Sequence, residues 1–284
     1  MPKRKVDSKE IGLVAGLRFM NHFFKTDYLH YGYWADELPV EMANLKQAQQ
    51  EYSKKLFEFI PPGTSHILDV GCGSGRVAFE LLEMGHEVDC ISPSAKLTEF
   101  AAELLGQRVR IFRGRLEELQ LERKYDMVLF SESFQYIEMS DAFSKSLSCL
   151  APGGSIVVSD FFRNDGVEGK SPLGGGHSLM EFRELLSRFD LQVIREENIT
   201  DRVAPTIDLV NGITMEVVEP LYRDLIALFR NRFPLLAKLV LWKYRKKLAK
   251  IENKHFKGER SGANFRKFKT YLMLVLKPRS MSQA

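Results

Sequence analysis

A predicted strand, a glycine-rich loop and a predicted helix follow one another in ILDVGCGSGRVA, residues 67–78, and this segment constrains the fold most strongly. The apolar run before the loop is typical of a buried strand, and RVAFELLEMG after it has apolar residues at helical spacing. Gly71, Gly73 and Gly75 lie between them. Glycine permits positive φ and lets a ligand approach bare backbone, while free amides at a helix start favour an anionic group. The segment therefore predicts a ligand-binding loop.

The rest of the chain repeats the alternation of strand and helix. One helical segment is SAKLTEFAAELLG, in which Ser94 is the predicted N-cap and Gly106 the stop. The seven predicted strands are HILDV, HEVDCI, RVRIF, DMVLFS, GSIVVSDFF, LQVIREENI and KTYLMLVLKP. Strands that alternate with helices form crossover units, so we predict an α/β fold whose mostly parallel sheet has helices on both faces.

Two segments depart from this alternation and define the predicted domain organisation. Residues 1–60 read as a helical N-terminal arm, and residues 205–262 as a helical insertion that packs over the sheet edge. The ligand-binding core is then residues 61–204 and 263–284. A chain of 284 residues suits one such core with additions better than two full domains.

Composition narrows the class of protein. The formal net charge of +4 is too mild to indicate nucleic acid by itself, and no apolar run approaches the roughly 20 residues of a membrane span. The basic start of the chain lacks the apolar core of a secretory signal, so we expect a cytoplasmic protein. The spacing of Cys72, Cys90 and Cys149 matches no zinc pattern, and we predict no metal site.

The glycine spacing and a nearby acid indicate the kind of ligand. The pattern is G-x-G-x-G rather than the dinucleotide pattern G-x-G-x-x-G. Asp69 lies two residues before Gly71, at the end of the predicted strand, where its carboxylate can accept from an ammonium group. A ligand with both a carboxylate and an ammonium group fits better than a pyrophosphate. This favours the amino-acid part of S-adenosylmethionine.

At this point the chain resembles the class I S-adenosylmethionine-dependent methyltransferases. ILDVGCGSG resembles their motif I, and GHEVDCISPS, YDMVLFSESFQYI and LAPGGSIVVSD follow in the family's order. The resemblance covers about residues 60–200, and YLMLVLKP is similar to the family's closing strand, which is antiparallel. It implies a Rossmann-like seven-stranded sheet, S-adenosylmethionine as cofactor, and cofactor contacts from the loop at Asp69, Gly71, Cys72, Gly73 and Gly75.

The chain departs from the family pattern on the adenosine side. Many members have an acid at the end of the second strand, where this chain has Ser92, with Cys90 as the other alignment. The aspartate often found after the third strand is replaced by Arg115, which leaves adenine recognition to Leu116 and Glu117. A serine in this place resembles the branch of tocopherol, sterol and natural-product methyltransferases and cyclopropane fatty acid synthases.

Four aromatic rings and a histidine lie close together in YLHYGYW, residues 28–34. The segment resembles one that, in the same branch, closes over the methionine end of the cofactor. Ring faces attract cations such as a sulfonium by about 0.5–2 kcal/mol. We expect His30, Tyr31 and Tyr33 near the cofactor and Trp34 toward the acceptor. The alternative is that these rings are simply part of the core.

Several polar residues are candidates for chemistry. Glu132, Gln135 and Tyr136 follow the fourth strand, at the sheet edge where open α/β folds bind ligands. Glu132 could accept a proton or orient the acceptor, and Gln135 and Tyr136 are the predicted acceptor contacts. His177, in a glycine-rich loop, and His30 compete with Glu132 as the general base. Each of the three also has a structural interpretation, as a cap, a loop contact or a helix start.

The predicted function is methyl transfer to a small, rather apolar acceptor, such as a lipid, an isoprenoid or a natural product. Alternatives are an RNA methyltransferase and a non-catalytic protein that keeps the cofactor fold. The absence of a D/N-P-P-Y pattern argues against DNA. Residues 235–257 pass from apolar to basic and read as a cap helix, as a contact with an anionic membrane or, least of all, as a contact with nucleic acid. The oligomeric state stays open.

Overall fold

A seven-stranded sheet forms the centre of the computed structural model, which describes residues 8–279. The predicted arm 1–60 and core segment 263–284 thus each include residues outside the described range. The strands are β1 (His66–Val70), β2 (Glu87–Ser92), β3 (Arg110–Arg113), β4 (Tyr125–Ser131), β5 (Leu150–Arg163), β6 (Leu191–Asn198) and β7 (Lys269–Pro278).

The strand order is β3-β2-β1-β4-β5-β7-β6. The pairs from β3 to β5 are parallel, whereas β7 runs antiparallel to both β5 and β6. Chain order reverses between β1 and β4, so the carboxyl ends of these two strands define the crevice in which α/β folds bind ligands. The predicted mostly parallel, Rossmann-like sheet with an antiparallel last strand is confirmed.

Ten α-helices surround the sheet within the described range. They are α1 (Ser8–Phe24), α2 (Leu45–Phe57), α3 (Arg76–Glu83), α4 (Ala95–Leu105), α5 (Met139–Cys149), α6 (Leu179–Arg188), α7 (Thr200–Ile213), α8 (Glu219–Arg232), α9 (Pro234–His255) and α10 (Gly262–Phe268). Ser94 caps α4 as predicted, since its side chain accepts from the amide of Leu97 at 3.2 Å. In the part of the chain that the structure describes, no helix is both long enough and apolar enough to cross a membrane.

Successive residues of the inner strands point to opposite faces of the sheet and build two cores. Ile67, Met127 and Val157 belong to one core, and Leu68 and Val128 belong to the other. All five are fully or nearly fully buried. A sheet buried on both faces explains why these strands read as continuous apolar runs in the sequence.

The predicted start of the insertion, at residue 205, lies inside one long helical rod. The rod begins with α7 at Thr200, ahead of the predicted boundary at residue 205, and continues into α8 through a wider, π-type turn at Thr214–Val218. Pro220 has no amide hydrogen, which removes one hydrogen bond of the regular helix and favours such a turn. The first half of the rod packs on the body through Val203 and Ala204, while the second half leaves it.

The aromatic segment, residues 28–34, is bound between α2 and α7. The amide of Tyr33 donates to the carbonyl of Ala48 at 2.8 Å, and the amide of Trp34 donates to the carbonyl of Arg202 at 2.9 Å. The amide of Gly32 donates to Thr206 Oγ1 at 3.1 Å. These bonds hold the segment against the body along its length.

We expect Gly32→Ala to lower the free energy of unfolding. A Cβ atom at Gly32 would lie 2.6 Å from the Cβ of Ala48, well inside van der Waals contact. Overpacking of this kind costs about 1–3 kcal/mol. The matched control is Gly212→Ala in α7, where a Cβ meets nothing within 4 Å and is expected to stabilise slightly. Denaturant titration of both variants checks this, and equal stabilities would contradict the close packing of the segment on α2.

Candidate cofactor and active site

The glycine loop leaves β1 with a backbone that side chains rarely adopt. Gly71, Gly73 and Gly75 have φ values of +83°, +57° and +84°. The amides of Gly71 and Cys72 both donate to the carbonyl of Ile91, at 2.8 and 3.2 Å, which fixes the loop to the end of β2. The predicted loop residues therefore lie together at the carboxyl ends of β1 and β2.

Close packing around the loop also requires glycine. A Cβ at Gly71 would lie 2.5 Å from the Cβ of Ser133, in the loop after β4, and a Cβ at Gly75 would lie 3.0 Å from that of Ala101 in α4. At Gly73 the nearest atom is Leu29 Cδ1, at 3.1 Å. The loop is thus held between α4, the end of β4 and the start of the aromatic segment.

One oxygen of the buried Asp69 carboxylate lacks a partner among the described residues. The residue is 2% exposed, and among the described residues its Oδ2 atom has no hydrogen-bond donor. Burial raises the pKa of Asp69 to about 7. A ligand ammonium group would supply the missing donor and favour the charged carboxylate. This orphaned oxygen fits the amino group of S-adenosylmethionine.

Asp69→Asn is expected to stabilise the ligand-free protein at pH 8. Because the pKa is raised in the folded state, the unfolded chain ionises first, and stability falls as pH rises from about 4 to about 7. Removing this titration should increase the free energy of unfolding at pH 8 by on the order of a few kcal/mol, with a smaller gain at pH 5. Denaturant titration at the two pH values measures the difference.

Asp126→Asn is the matched control for that experiment. The amides of His66 and Ser65 donate to Asp126 and lower its pKa, so this substitution is expected to destabilise the protein at pH 8. A loss of stability in Asp69→Asn at pH 8 would show that the Asp69 carboxylate is satisfied in the free protein.

The predicted adenosine contacts lie beyond the ends of β2 and β3. Ser92 is buried at the last position of β2, and its hydroxyl donates to the carbonyl of Ser94 at 3.4 Å. Leu116 and Glu117 form a short 3₁₀ turn after β3. Leu116 is buried, and Glu117 Oε2 is a buried oxygen without a partner among the described residues. Glu117 therefore offers a second free acceptor, suited to a hydroxyl or amino donor.

The thiol of Cys72 contacts another cysteine rather than open space. Its hydrogen bond to Cys90, together with burial, raises the pKa of Cys90 well above its usual value. Both cysteines are free and buried, and both belong to the core on one face of the sheet. The contribution of Cys72 to the loop is therefore its backbone amide and its packing.

The aromatic segment covers the glycine loop from its N-terminal side. Leu29 contacts Gly73, and the hydroxyl of Ser74 donates to the carbonyl of Asp27 at 2.5 Å. Tyr28 is buried and donates to Glu80 of α3. These contacts bring the segment next to the loop, as the resemblance implies.

Glu132 lies directly after β4 in a strained conformation. Its φ of +54° is unusual for a residue with a side chain, and its amide donates to the carbonyl of Ser159 at 2.8 Å. The carboxylate accepts from the amide of Tyr31 at 2.8 Å and from the hydroxyl of Tyr271 at 3.0 Å. The structure therefore joins the predicted base to the aromatic segment.

Burial controls the charge of Glu132. Loss of solvation and the nearby carboxylate of Asp160 raise its pKa to about 8, against the lowering effect of the donors Tyr31 and Tyr271. A carboxyl group with a pKa near neutrality is suited to accept a proton in a reaction. Behind it, Tyr271 bonds Tyr52 at 2.7 Å, and Tyr52 bonds Ser159 at 2.6 Å. This hydroxyl chain fixes the position of the carboxylate.

Gln135 is held by Asp160, next to the same site. Its backbone amide donates to Asp160 Oδ2 and its side-chain amide donates to Oδ1, both at 3.0 Å. Burial raises the pKa of Asp160 to about 7. A Cβ at Gly175 would lie 2.3 Å from Gln135 Oε1, so the glycine-rich loop packs directly on this amide. Tyr136 is 70% exposed, but burial of its hydroxyl and the charges of Asp160 and Glu132 raise its pKa, so the hydroxyl lies at the edge of this cluster.

The two candidate histidines make structural contacts. His30 Nδ1 lies 2.7 Å from the carbonyl of Tyr31, so this nitrogen carries the hydrogen, and the ring stacks on Tyr52 at 4.2 Å. Burial lowers the pKa of His30 to about 4. His177 Nε2 lies 3.1 and 2.8 Å from the carbonyls of Phe134 and Ile137, so it also acts as a donor. The geometry favours Glu132 over both histidines as the base.

Trp34 occupies different surroundings from those expected. Trp34 is 3% exposed, and its Nε1 donates to Thr206 Oγ1 at 2.9 Å. It packs with Leu45 and Ala48, which places it between α2 and α7 rather than beside Glu132. Tyr33 is half-buried, with the guanidinium of Arg202 5.9 Å from its ring. Trp34 is therefore a packing contact of the segment, while the cofactor contact of Tyr33 stays a prediction.

The sequence did not single out Tyr52, Tyr271 or Asp160, although all three act on the candidate base. Tyr271 lies in β7, 139 residues from Glu132 along the chain. A polar ring within an apolar strand, as in KTYLMLVLKP, was the one local signal for it. Asp160 gives a similar signal in GSIVVSDFF, where an acid interrupts a strand that is otherwise predicted to be buried.

The sheet topology and the glycine loop are those of a methyltransferase domain, and a comparison with known protein families gives the same result. Residues 67–154 match the family described as a methyltransferase domain. The match begins in β1 and ends in β5, and it contains the glycine loop, Ser92 and Glu132. For this segment, the resemblance to class I methyltransferases is confirmed.

Individual relatives are similar over part of their length. The malonyl-[acyl-carrier protein] O-methyltransferase 1 of Ilyobacter polytropus is 29% identical over 154 residues, which cover 52% of this chain and 53% of that protein. The chain spans about half the length of the curated relatives it matches.

Solved structures share the fold over nearly the whole chain. The [4+2]-cyclase SpnF matches with a TM-score of 0.66 at 18% identity, covering 94% of this chain and 93% of its own. The geranyl diphosphate C-methyltransferase of Streptomyces coelicolor A3(2) matches with a TM-score of 0.66 at 13% identity, covering 97% of this chain and 100% of its own. At these identities the likeness shows the fold alone.

Proposed function

We propose that this protein is an S-adenosylmethionine-dependent methyltransferase that acts on a small, rather apolar acceptor. The observation that carries the proposal is that two buried carboxylate oxygens, Asp69 Oδ2 at the end of β1 and Glu117 Oε2 in the turn after β3, lack partners among the described residues. A ligand with an amino group at one end and hydroxyl or amino donors at the other would satisfy both. The methyltransferase-domain match covers both the loop and Glu117.

Different residues would bind the amino-acid part and the adenosine part of S-adenosylmethionine. Asp69 would hold the ammonium group, and the backbone of Gly71 to Gly75 would accommodate the amino-acid part of the cofactor. Ser92, Leu116 and Glu117 would hold the adenosine part. The predicted arm 1–60 would close this site through Leu29 on Gly73. When bound, S-adenosylmethionine supplies an electrophilic methyl group on a sulfonium.

Glu132 would accept the acceptor's proton. Its carboxylate is fixed by Tyr31 and Tyr271, so little reorganisation is needed during proton transfer. The same carboxylate would stabilise the positive charge of the sulfonium while water is excluded. Methyl transfer by in-line displacement then depends on placing the acceptor beside this site.

Support for an apolar acceptor comes from the rings that adjoin Glu132. The ring centroid of Tyr31 lies 6.4 Å from that of Phe161 and 6.1 Å from that of Phe265. Gln135, which Asp160 holds in place, is the predicted polar contact for an acceptor. Aromatic rings beside the buried carboxylate favour an acceptor that is largely apolar.

Two measurements on the purified protein test the proposal. Calorimetry should detect binding of S-adenosylhomocysteine, and a metabolite extract incubated with S-adenosylmethionine should yield a product heavier by one methyl group. Since the fold also occurs in a [4+2]-cyclase, binding without methyl transfer would instead favour a different use of the site. Failure to bind the cofactor would overturn the site assignment.

A further inference from the structure

α8 and α9 form a hairpin that stands away from the rest of the protein. The two helices contact each other, and the hydroxyl of Tyr222 donates to Glu252 at 2.8 Å across the hairpin. No side chain of α8 is buried, and in α9 only Ala237 is buried. The exposed side chains of these two helices therefore do not belong to the candidate active site, and they need another explanation.

One face of α9 exposes large apolar side chains at helical spacing. Leu235, Leu239 and Trp242 are 85%, 61% and 63% exposed, and their spacing places them in one row. On α8, Leu221, Leu225 and Leu228 are exposed as well. A concentration of large apolar side chains on a projecting element marks an interaction surface.

The charge of the hairpin indicates the chemistry of the partner. Residues 219–257 contain eleven basic and three acidic side chains, a net charge of +8. Because the whole chain carries +4, the remainder carries −4. Two of the three acids are already engaged, Glu219 with Arg223 and Glu252 with Tyr222. A second copy would bring the same positive charge to the surface, whereas an anionic surface is complementary to it.

We propose that the α8–α9 hairpin docks on an anionic phospholipid surface. The row Leu235, Leu239 and Trp242 would enter the headgroup layer, and Lys246 and Lys250, which continue along the same side of α9, would contact phosphates. Aliphatic lysine stems can lie along the apolar layer while their ammonium groups stay at its edge. The contact is peripheral, and it would bring the protein to the phase in which apolar molecules concentrate.

Sedimentation of the full chain with vesicles tests the proposal without any cofactor or acceptor. The chain should bind phosphatidylglycerol vesicles and bind phosphatidylcholine vesicles weakly, and added salt should reduce binding because it screens the charges. The combined variant Leu235→Ser, Leu239→Ser and Trp242→Ser should bind at least about tenfold more weakly. Equal binding to both vesicle types, or full binding by this variant, would overturn the proposal.

Matched lysine variants distinguish a specific contact through this surface from a general effect of the protein's positive charge. Lys246→Gln with Lys250→Gln should lower vesicle binding by about tenfold or more, since each lysine near an anionic surface contributes about 1 kcal/mol. Lys54→Gln with Lys170→Gln removes equal charge from exposed positions elsewhere and should leave binding within about twofold. Equal losses in the two pairs, or tighter binding to RNA than to the vesicles, would overturn the assignment.

Discussion

Gly73→Val is expected to abolish measurable binding of S-adenosylhomocysteine. At a φ of +57° a β-branched side chain is strained, and its Cβ would lie 3.1 Å from Leu29 Cδ1. The side chain would therefore displace Leu29 and distort the loop on which we propose that the cofactor binds. We expect a loss of at least about 100-fold in affinity, or about 2.7 kcal/mol, measured by calorimetry.

Gly106→Val is the control for this loss. Gly106 ends α4 with a φ of +60°, and a Cβ there meets nothing within 4 Å. It should therefore show the cost of a strained backbone, read as a lower melting temperature, while it retains cofactor binding. Retained binding in Gly73→Val, or an equal loss in both variants, would contradict the placement of the cofactor on this loop.

Glu132→Gln is expected to lower kcat by about 10²- to 10⁴-fold, the range typical of a lost general base. The amide keeps the size of the side chain and can still accept from the Tyr31 amide, so binding of S-adenosylhomocysteine, which has no sulfonium charge, should change little. The comparison variant is His177→Gln, which loses the contacts with the carbonyls of Phe134 and Ile137. It should lower the melting temperature but leave kcat nearly unchanged. Full activity of Glu132→Gln would remove it as the base.

The pH dependence gives a second test of Glu132. Its pKa of about 8 predicts that kcat/KM rises with pH and levels off above about pH 8, because the carboxylate is the active form. In Glu132→Gln this rise should disappear. A rise that persists in the variant would assign the titration to another group.

Tyr271→Phe is expected to move that rise to higher pH. The Tyr271 hydroxyl donates to the Glu132 carboxylate and lowers its pKa, so its removal should raise the pKa. Tyr52→Phe is the matched control, because Tyr52 bonds Tyr271 and Ser159 and should produce a smaller shift. A larger shift in Tyr52→Phe would contradict the order of the hydroxyl chain.

Local patterns predicted much of the fold and part of the site. The seven strands and the Ser94 cap agree with the structure. These features are encoded by neighbouring residues: apolar runs, helical spacing and capping side chains. The same holds for the glycine loop, since positive φ at Gly71 and Gly73 is a local requirement.

The contacts of the individual aromatic rings in residues 28–34 could not be predicted from local sequence patterns. YLHYGYW predicted a segment near the glycine loop but not that Trp34 would pack on Thr206, 172 residues later. Whether a ring faces the cofactor or the core depends on which partner surface meets it. That surface is built by α2 and α7, which are distant in the chain.

The sequence by itself determined the individual strands, the loop that leaves β1 and the carboxyl groups that lie at strand ends, because each is encoded by residues close in the chain. Only the tertiary structure decided which group is suited to act as the base. Glu132 has a pKa of about 8 because burial, Asp160 and two donors from distant elements act on it together. Loss of solvation depends on all the elements that surround a carboxylate, and no short stretch of sequence contains them.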